Sequence, residues 1–236
     1  MVGVLEAEPS LGSHLDPSSL LAAKREAFAP LLSLDRGKLD WEKIPMEAGH
    51  SLGMLVLEGM LSRRQDVGDL TFVELLGEGD LLRPWSAEES TTLASAASWR
   101  VMAPTRIALL DRDFALRTRH WPEIAAALLE RSSLRSRALV ITLAIHGAVR
   151  VRDRLLLTLW HLADRWGHVT PRGTVLPIAL THESLAQLIG ARRSPVTVAL
   201  GELRREELVR RERRGVWLLS GEPPLQIALR AGKAGG

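Results

Sequence analysis

Cysteine and tyrosine are both missing from the 236 residues. Without cysteine there are no disulfides, no thiolate nucleophiles, no thiolate-held iron–sulfur clusters and no Cys-based zinc sites. That lack fits a reducing compartment, and the cytoplasm is the expected location. No apolar run approaches the length of a membrane span. The opening MVGVLEAEPSLGSHLDPSSLL has no basic start leading into an apolar stretch, so no secretory signal is read there. A soluble protein with no membrane partner is expected. No nucleophile–base pair or metal-ligand constellation stands out either, which leaves an enzyme without a mechanism and gives no cofactor to expect.

Hydrophobic residues make up 46% and charged ones 25%, ordinary values for a globular chain. The net charge of +3 conceals an asymmetry. Residues 150–236 hold 15 Lys and Arg against 8 Asp and Glu, whereas residues 1–149 hold 16 against 20. A basic rear part joined to a mildly acidic front suggests a polyanion as the partner of the rear. An arginine-rich solvated surface would produce the same count.

Residues 1–30 carry scattered Pro, Ser and Gly and read as an irregular arm with one short helix near Leu20–Phe28. From Ile44 to Leu110 short apolar runs (MLVLEGML, FVELL, RIALL) alternate with Gly, Pro, Asp and Ser clusters. Short strands punctuated by turns predict a compact antiparallel barrel or sandwich. Gly49, Gly53, Gly59, Gly68, Gly77 and Gly79 fall where tight turns are expected.

After Asp113 the pattern becomes helical. Trp121 to Gly147 has no internal glycine, and its single proline, Pro122, falls in a first turn. Ile124, Ala127, Arg131, Leu134, Ala138, Ile141 and Ile145 alternate spacings of three and four, one seam that is apolar except at Arg131. Such a helix is a rod of roughly 40 Å that must bury its stripe, against a symmetry mate or within its own chain. A second helix is expected from Val151 to Trp166, closed by Gly167 as a left-handed cap. HVTPRGTVLPIAL then reads as a hairpin turning at Pro171–Gly173.

The stretch THESLAQLIGARRSPVTVALGELRREELVRRERRGVWLLS is the most informative. Thr181 is a plausible N-cap for a short helix that buries Leu185, Leu188 and Ile189. Gly190-Ala191 makes a bend. A second helix from Arg193 places Val196, Ala199, Leu200 and Leu203 at i, i+3, i+4 and i+7, leaving Arg192, Arg193, Ser194, Thr197 and Arg204 outward. Two short helices around a glycine turn, the second with a basic outer face, form a helix-turn-helix. A helix fits the major groove of B-DNA, and an arginine at its amino end can donate two parallel hydrogen bonds to guanine O6 and N7. LVRRERRGVWLL follows as two strands around Arg213-Arg214-Gly215, a wing whose arginines suit phosphates.

At these residues the chain resembles the Crp/Fnr family of bacterial transcription regulators, over nearly its whole length. LVLEGML and LLGEGDLL resemble the family's β-roll, residues 121–147 its dimerisation helix, and LTHESLAQLIGARRSPVTVALGELRREELV its helix-turn-helix. The resemblance implies an α+β fold with an antiparallel, cyclic-nucleotide-binding-like β-roll over 1–118. A dimerisation helix over 119–148 and a winged helix-turn-helix over 149–236 would follow. It also implies a homodimer on pseudo-palindromic double-stranded DNA, with RNA polymerase as a further partner. Arg193 matches the family's guanine-reading arginine, while Ser194 stands where a glutamate is usual and Val198 where a second arginine is usual.

The sensory half departs further. Where the family's cyclic-nucleotide binders carry Gly-Glu-Leu this chain reads Arg83-Pro84-Trp85, and near their Arg-Ser or Arg-Thr it reads Ser95-Ala96. Arg83 and Arg100 are the cations left to serve such a pocket, and Gly79, Asp80, Leu82, Arg83, Trp85 and Arg100 form the candidate effector site. Cyclic AMP is not expected to bind. The missing cysteines exclude the Fnr-type oxygen-sensing cluster. The alternative is a small-molecule sensor acting through a protein partner.

Weaker signals have plainer readings. His161, Asp164 and His168 have a spacing that could gather a metal, but Gly167 breaks the helix before His168 and surface roles suit them better. His120 and His146 flank the long helix as haem ligands or as ordinary surface histidines. Trp85 lines an effector cavity or simply packs a core. Asp111/Asp113 and Glu88/Glu89 resemble catalytic carboxylate pairs but also solvated turns.

Overall fold

The computed structural model describes residues 1–44, 51–83, 95–212 and 215–224. The chain divides into two compact units, Met1–Ser136 and Arg137–Gly236.

In the first unit, β1 (Val2–Gly3) leads into α1 (Val4–Ala7), a 3-10 turn (Pro9–Gly12) and α2 (Pro17–Glu26). Asp16 caps α2, its carboxylate accepting the Ser18 and Ser19 amides. β2 (Phe28–Ala29) then pairs back on β1. The arm expected to be irregular is therefore folded, and Val4, Leu5, Leu11 and Ala23 are buried with Phe114 and Ile124. Its apolar residues fall on three short elements, so no single period betrays them.

The sheet begins with β3 (Leu31–Leu34) and β4 (Gly37–Leu39). It continues with β5 (Gly53–Val67), β6 (Leu70–Gly77), β7 (Leu81–Leu82) and β8 (Ser95–Leu110). It is antiparallel in the order β3-β8-β5-β6, with β4 on β8 and β7 on β5. Two strands are much longer than the punctuated sequence suggests; β5 alone would span about 50 Å if straight. The register of β5 on β8 shifts repeatedly between Val56 and Leu61. Gly59 sits at that irregularity with φ +92, and a Cβ there would lie 2.2 Å from the Pro104 carbonyl oxygen. It marks a bulge inside a strand, not a turn. Gly68 (φ +57) does form the β5–β6 turn. Gly49 lies outside the described residues.

Alternation along β5 explains the uninterrupted apolar run. Met54 and Val56 face a cluster with Leu76, Leu82 and Trp99. Leu55 and Leu57 face the opposite cluster with Leu5, Phe114 and Ile124. Both faces are covered, so both must be apolar.

After α3 (Arg112–Thr118), capped by Asp111 through the Phe114 amide at 2.8 Å, comes α4 (Pro122–His146). Ile124, Ala127 and Leu128 bury its first turns. Arg131, the polar break in the expected seam, bonds Glu8 at 3.0 Å and also Ser10. One turn on, Arg135 makes a two-pronged pair with Glu74 of β6 at 2.7 and 2.8 Å.

The expected seam of α4 is buried only at its ends, its middle residues Leu134 and Ile141 lying 46% and 47% exposed, and a neighbouring stripe is more exposed still. Ile124 and Ala127 pack in the first unit and Ile145 in the second. Leu129, Val140 and Leu143 lie 69%, 66% and 73% exposed. They share a stripe with Ser133 and Ser136 at spacings of three and four. Among the described residues no helix is long and apolar enough to cross a membrane.

In the second unit the end of α4 is followed by α5 (Val151–Trp166), whose Leu155, Leu156, Leu159 and Leu162 are buried. Gly167 closes α5 in an extended conformation (φ −82, ψ 162), not the left-handed one expected. Its glycine serves close approach, since a Cβ would sit 2.4 Å from the Ala163 carbonyl oxygen. The predicted hairpin is β9 (His168–Thr170) and β10 (Gly173–Leu176). Then come α6 (His182–Leu188), α7 (Arg193–Arg205), β11 (Val209–Arg211) and β12 (Trp217–Leu219). The small sheet runs β11-β12-β10-β9.

The Glu74–Arg135 pair generates a stability prediction. Arg135→Ala strips a buried carboxylate of both its side-chain hydrogen bonds, leaving it only the attraction of Arg63 on the neighbouring strand, and should lower the unfolding free energy by about 3 kcal/mol, read by urea denaturation. A loss under about 1 kcal/mol would mean that water reaches Glu74 and that the pair behaves as a surface contact.

Candidate nucleic-acid interface

The helix-turn-helix is built from local rules. Thr181 caps α6, its hydroxyl oxygen accepting the Ser184 amide at 3.0 Å. Leu185, Ala186 and Leu188 turn inward. The helix ends at Ile189, and Gly190 takes the left-handed conformation (φ +61) that turns the chain. Arg154 of α5 holds this corner, donating to the Ile189 carbonyl at 3.0 Å and the Gly190 carbonyl at 3.4 Å. A cation at a helix carboxyl end also suits the helix dipole. His146 of α4 bonds the neighbouring Leu188 carbonyl at 2.9 Å.

Arg192 is the N-cap of α7, with extended dihedrals (φ −80, ψ 153). Pro195 falls in the first turn, where no helical partner awaits its missing N–H. Val196, Ala199, Leu200 and Leu203 are buried, as the spacing requires. Arg192, Arg193, Ser194, Thr197 and Arg204 are all exposed. Among the described residues no hydrogen bond or ion pair engages the guanidinium of Arg192, Arg193 or Arg204. These cations therefore face solvent with no acid among the described residues to neutralise them.

Thr197 differs from them. Its hydroxyl donates to the Arg193 carbonyl at 3.1 Å and lies 3.0 Å from Nδ1 of His182. Neither His182 nor Arg154 stood out in the sequence. A histidine at a first helical position and an arginine in a preceding helix carry no pattern of their own.

The wing forms from β11 and β12, paired Val209 to Leu219 through Arg211 to Trp217. Gly215 has φ +79. Arg213 and Arg214 lie outside the described residues. Beside them Glu212 accepts from Arg172 at 3.0 Å and stands 3.8 Å from Arg210, while Arg211 lies over the Trp217 ring at 5.7 Å. Part of the wing's basic charge is thus already compensated.

The candidate effector residues that the structure describes take different local roles. Gly79 (φ +83) makes the turn before β7. The buried Asp80 carboxylate accepts the Gly77 amide at 2.8 Å, a turn-closing role. Leu82 is sunk in the apolar cluster with Trp99. Arg83 is exposed, and Arg100 is exposed on β8 opposite Lys38 and Ser62. Trp85, like Glu88 and Glu89, lies outside the described residues.

Charges that the sequence did not single out line the sheet instead. Arg63 stands opposite Glu74 and Trp99 on its neighbouring strands, its guanidinium 5.6 Å from the Trp99 ring. Trp41 meets that ring edge-on at 5.1 Å. Burial pushes the Arg63 pKa down, with Glu74 opposing and Arg135 adding to the shift. Glu74 is itself held by Arg135.

His161 is half-buried in α5. Burial lowers its pKa, Arg165 adds to this, and Asp164 and the Ala138 backbone oppose it. Among the described residues no three His, Asp or Glu side chains are grouped to hold a metal. His120 packs edge-on to Trp121, and Asp111 is the cap of α3.

Three kinds of comparison converge on one family. Residues 153–222 match the model of the Crp-like helix-turn-helix domain. The chain is 30% identical over 168 residues to the CRP-like cAMP-activated global transcriptional regulator of Mycobacterium tuberculosis, covering 69% of this chain and 72% of that protein. A cyclic nucleotide-binding domain containing protein from Listeria monocytogenes superposes with a TM-score of 0.67 at 15% identity, over 92% of this chain and 97% of that one. A mutant of CooA from Carboxydothermus hydrogenoformans gives 0.59 at 20% identity, over 98% and 95%. With a relative of that identity and a matching fold from end to end, the chain belongs to the Crp/Fnr family of transcription regulators.

Proposed function

We propose that this regulator acts as a homodimer on a pseudo-palindromic duplex, with the amino end of α7 in the major groove and no requirement for cyclic AMP. The observation that carries the reading is the state of Arg192 and Arg193, exposed at the head of α7 and without a hydrogen-bond or ion-pair partner among the described residues. Arg193 reads guanine through O6 and N7, and Arg192 and Ser194 contact the flanking base edges or phosphates. Arg204, at the far end of α7, and Arg213 and Arg214, in the wing, supply phosphate contacts that set register and salt dependence. With Ser194 and Val198 in place of the family's usual glutamate and second arginine, the target sequence differs from that of better-known members.

The exposed stripe Leu129, Ser133, Ser136, Val140 and Leu143 supports the dimer. Apolar residues at that spacing bury best against the same stripe of a second copy, and twofold symmetry then sets two recognition helices about 34 Å apart. The protein works in the cytoplasm, as a regulator and not an enzyme, with RNA polymerase as the machinery it influences. Absence of cyclic-AMP control is supported by the cassette positions, where Arg83-Pro84-Trp85 replaces the acidic ribose acceptor. The turn acid Asp80 is committed to a backbone amide.

Three measurements test this reading. Arg193→Ala should cost about 1–3 kcal/mol of preference for a duplex selected from a random pool, while sedimentation still shows a dimer. Unchanged preference would remove Arg193 from base reading. Leu143→Asp should give a monomer in the same sedimentation experiment, and a persisting dimer would place the interface elsewhere. Calorimetry with cyclic AMP should give no isotherm; micromolar binding would show that another set of residues replaces the missing cassette.

A further inference from the structure

We infer that His182 is a positioning residue of the DNA-reading face: through the Thr197 hydroxyl it fixes the angle between α6 and α7, and so where Arg193 points. The inference rests on the reading of α7 as the recognition helix.

His182 is the first residue of α6, and Thr197 lies in the second turn of α7, one turn beyond Arg193. A hydroxyl has one proton, and that of Thr197 goes to the Arg193 carbonyl at 3.1 Å. Its oxygen can then only accept from the other helix, so the ring nitrogen facing it, Nδ1 of His182 at 3.0 Å, carries the N–H. The result is a directed relay, from the His182 ring to the Thr197 hydroxyl to the Arg193 backbone. A helical threonine bonding back to its own helix is ordinary and needs no second helix. The histidine is what turns that local bond into a bridge.

The bridge adds what the apolar contact lacks. Val196, Ala199, Leu200 and Leu203 are buried on the inner face of α7. Dispersion and burial are non-directional, and they set the distance between two helices more firmly than the rotation of one about its own axis. His182 and Thr197 join the helices at the solvent-exposed edge of that contact. A small rotation of α7 would carry an arginine tip out of bidentate register while leaving phosphate contacts intact. Thr197 accordingly serves the face by holding Arg193 and not by reading a base with its own hydroxyl.

The test uses the full-length protein, a duplex that the wild type selects from a random pool, and a random-sequence duplex of equal length. His182→Leu and Thr197→Val should each lower the selected-over-random affinity ratio about fivefold, the worth of one hydrogen bond, and the double variant should fall no further. His182→Asn, whose amide can stand where Nδ1 stood, and Thr197→Ser should each bring the ratio back to within about twofold of the wild type. Affinity for the random duplex and its salt dependence should not move. A ratio unaffected by His182→Leu, equal losses on both duplexes, additive losses in the double variant, or no rescue by Asn would each overturn the inference. A wild type that selects no sequence at all would show instead that the reading of α7 has failed, and this inference with it.

Discussion

The burial of one stripe of α7 governs the whole interface. Four apolar residues, Val196, Ala199, Leu200 and Leu203, leave solvent together. Each larger aliphatic side chain so buried contributes about 1.5–3 kcal/mol. That is far more than any surface contact nearby, so the stripe decides which face of the helix looks outward. The positions of Arg192, Arg193, Ser194 and Thr197 follow as its complement. Turning the helix by a single residue would drive a guanidinium toward the core, at the desolvation cost of burying a charge. The exposure of the arginines is therefore a property of the leucines and valine behind them.

Legibility in the sequence tracked how local each signal was. The bounds of α5, the Thr181 cap, the Gly190 corner and the start of α7 all lie where spacing and capping chemistry put them. Each is decided within a few residues. The long range was harder. Gly59 looked like a turn because a glycine among strands usually is one; the reason for it is Pro104, 45 positions on in the chain. Gly167 likewise answers to the Ala163 carbonyl and not to a left-handed cap. In α4 two stripes satisfy the three-and-four spacing, and periodicity alone cannot say which one the chain buries itself. The structure buries the ends of the first but leaves its Leu134 and Ile141 exposed, together with Leu129, Val140 and Leu143 of the second.

The first unit illustrates the same division. Alternation in MLVLEGML does not show, because α1, α3 and the start of α4 cover the face of β5 that would otherwise be polar. The contacts that join α4 to its surroundings, Arg131 to Glu8 and Arg135 to Glu74, span 123 and 61 residues. Nothing in the immediate sequence of either arginine announces its partner. The same holds for His182, whose importance lies entirely in a hydroxyl 15 positions away.

The exposed cations at the head and tail of α7 are all arginines, and no lysine occurs from 137 through 224. A guanidinium stays ionised at any physiological pH and offers no amine for acetylation. The electrostatic attraction of this face for a polyanion is thus permanent, a constant that neither alkalinity nor lysine-directed enzymes can dim. What can vary is how far the face is presented or screened, since its charge does not change.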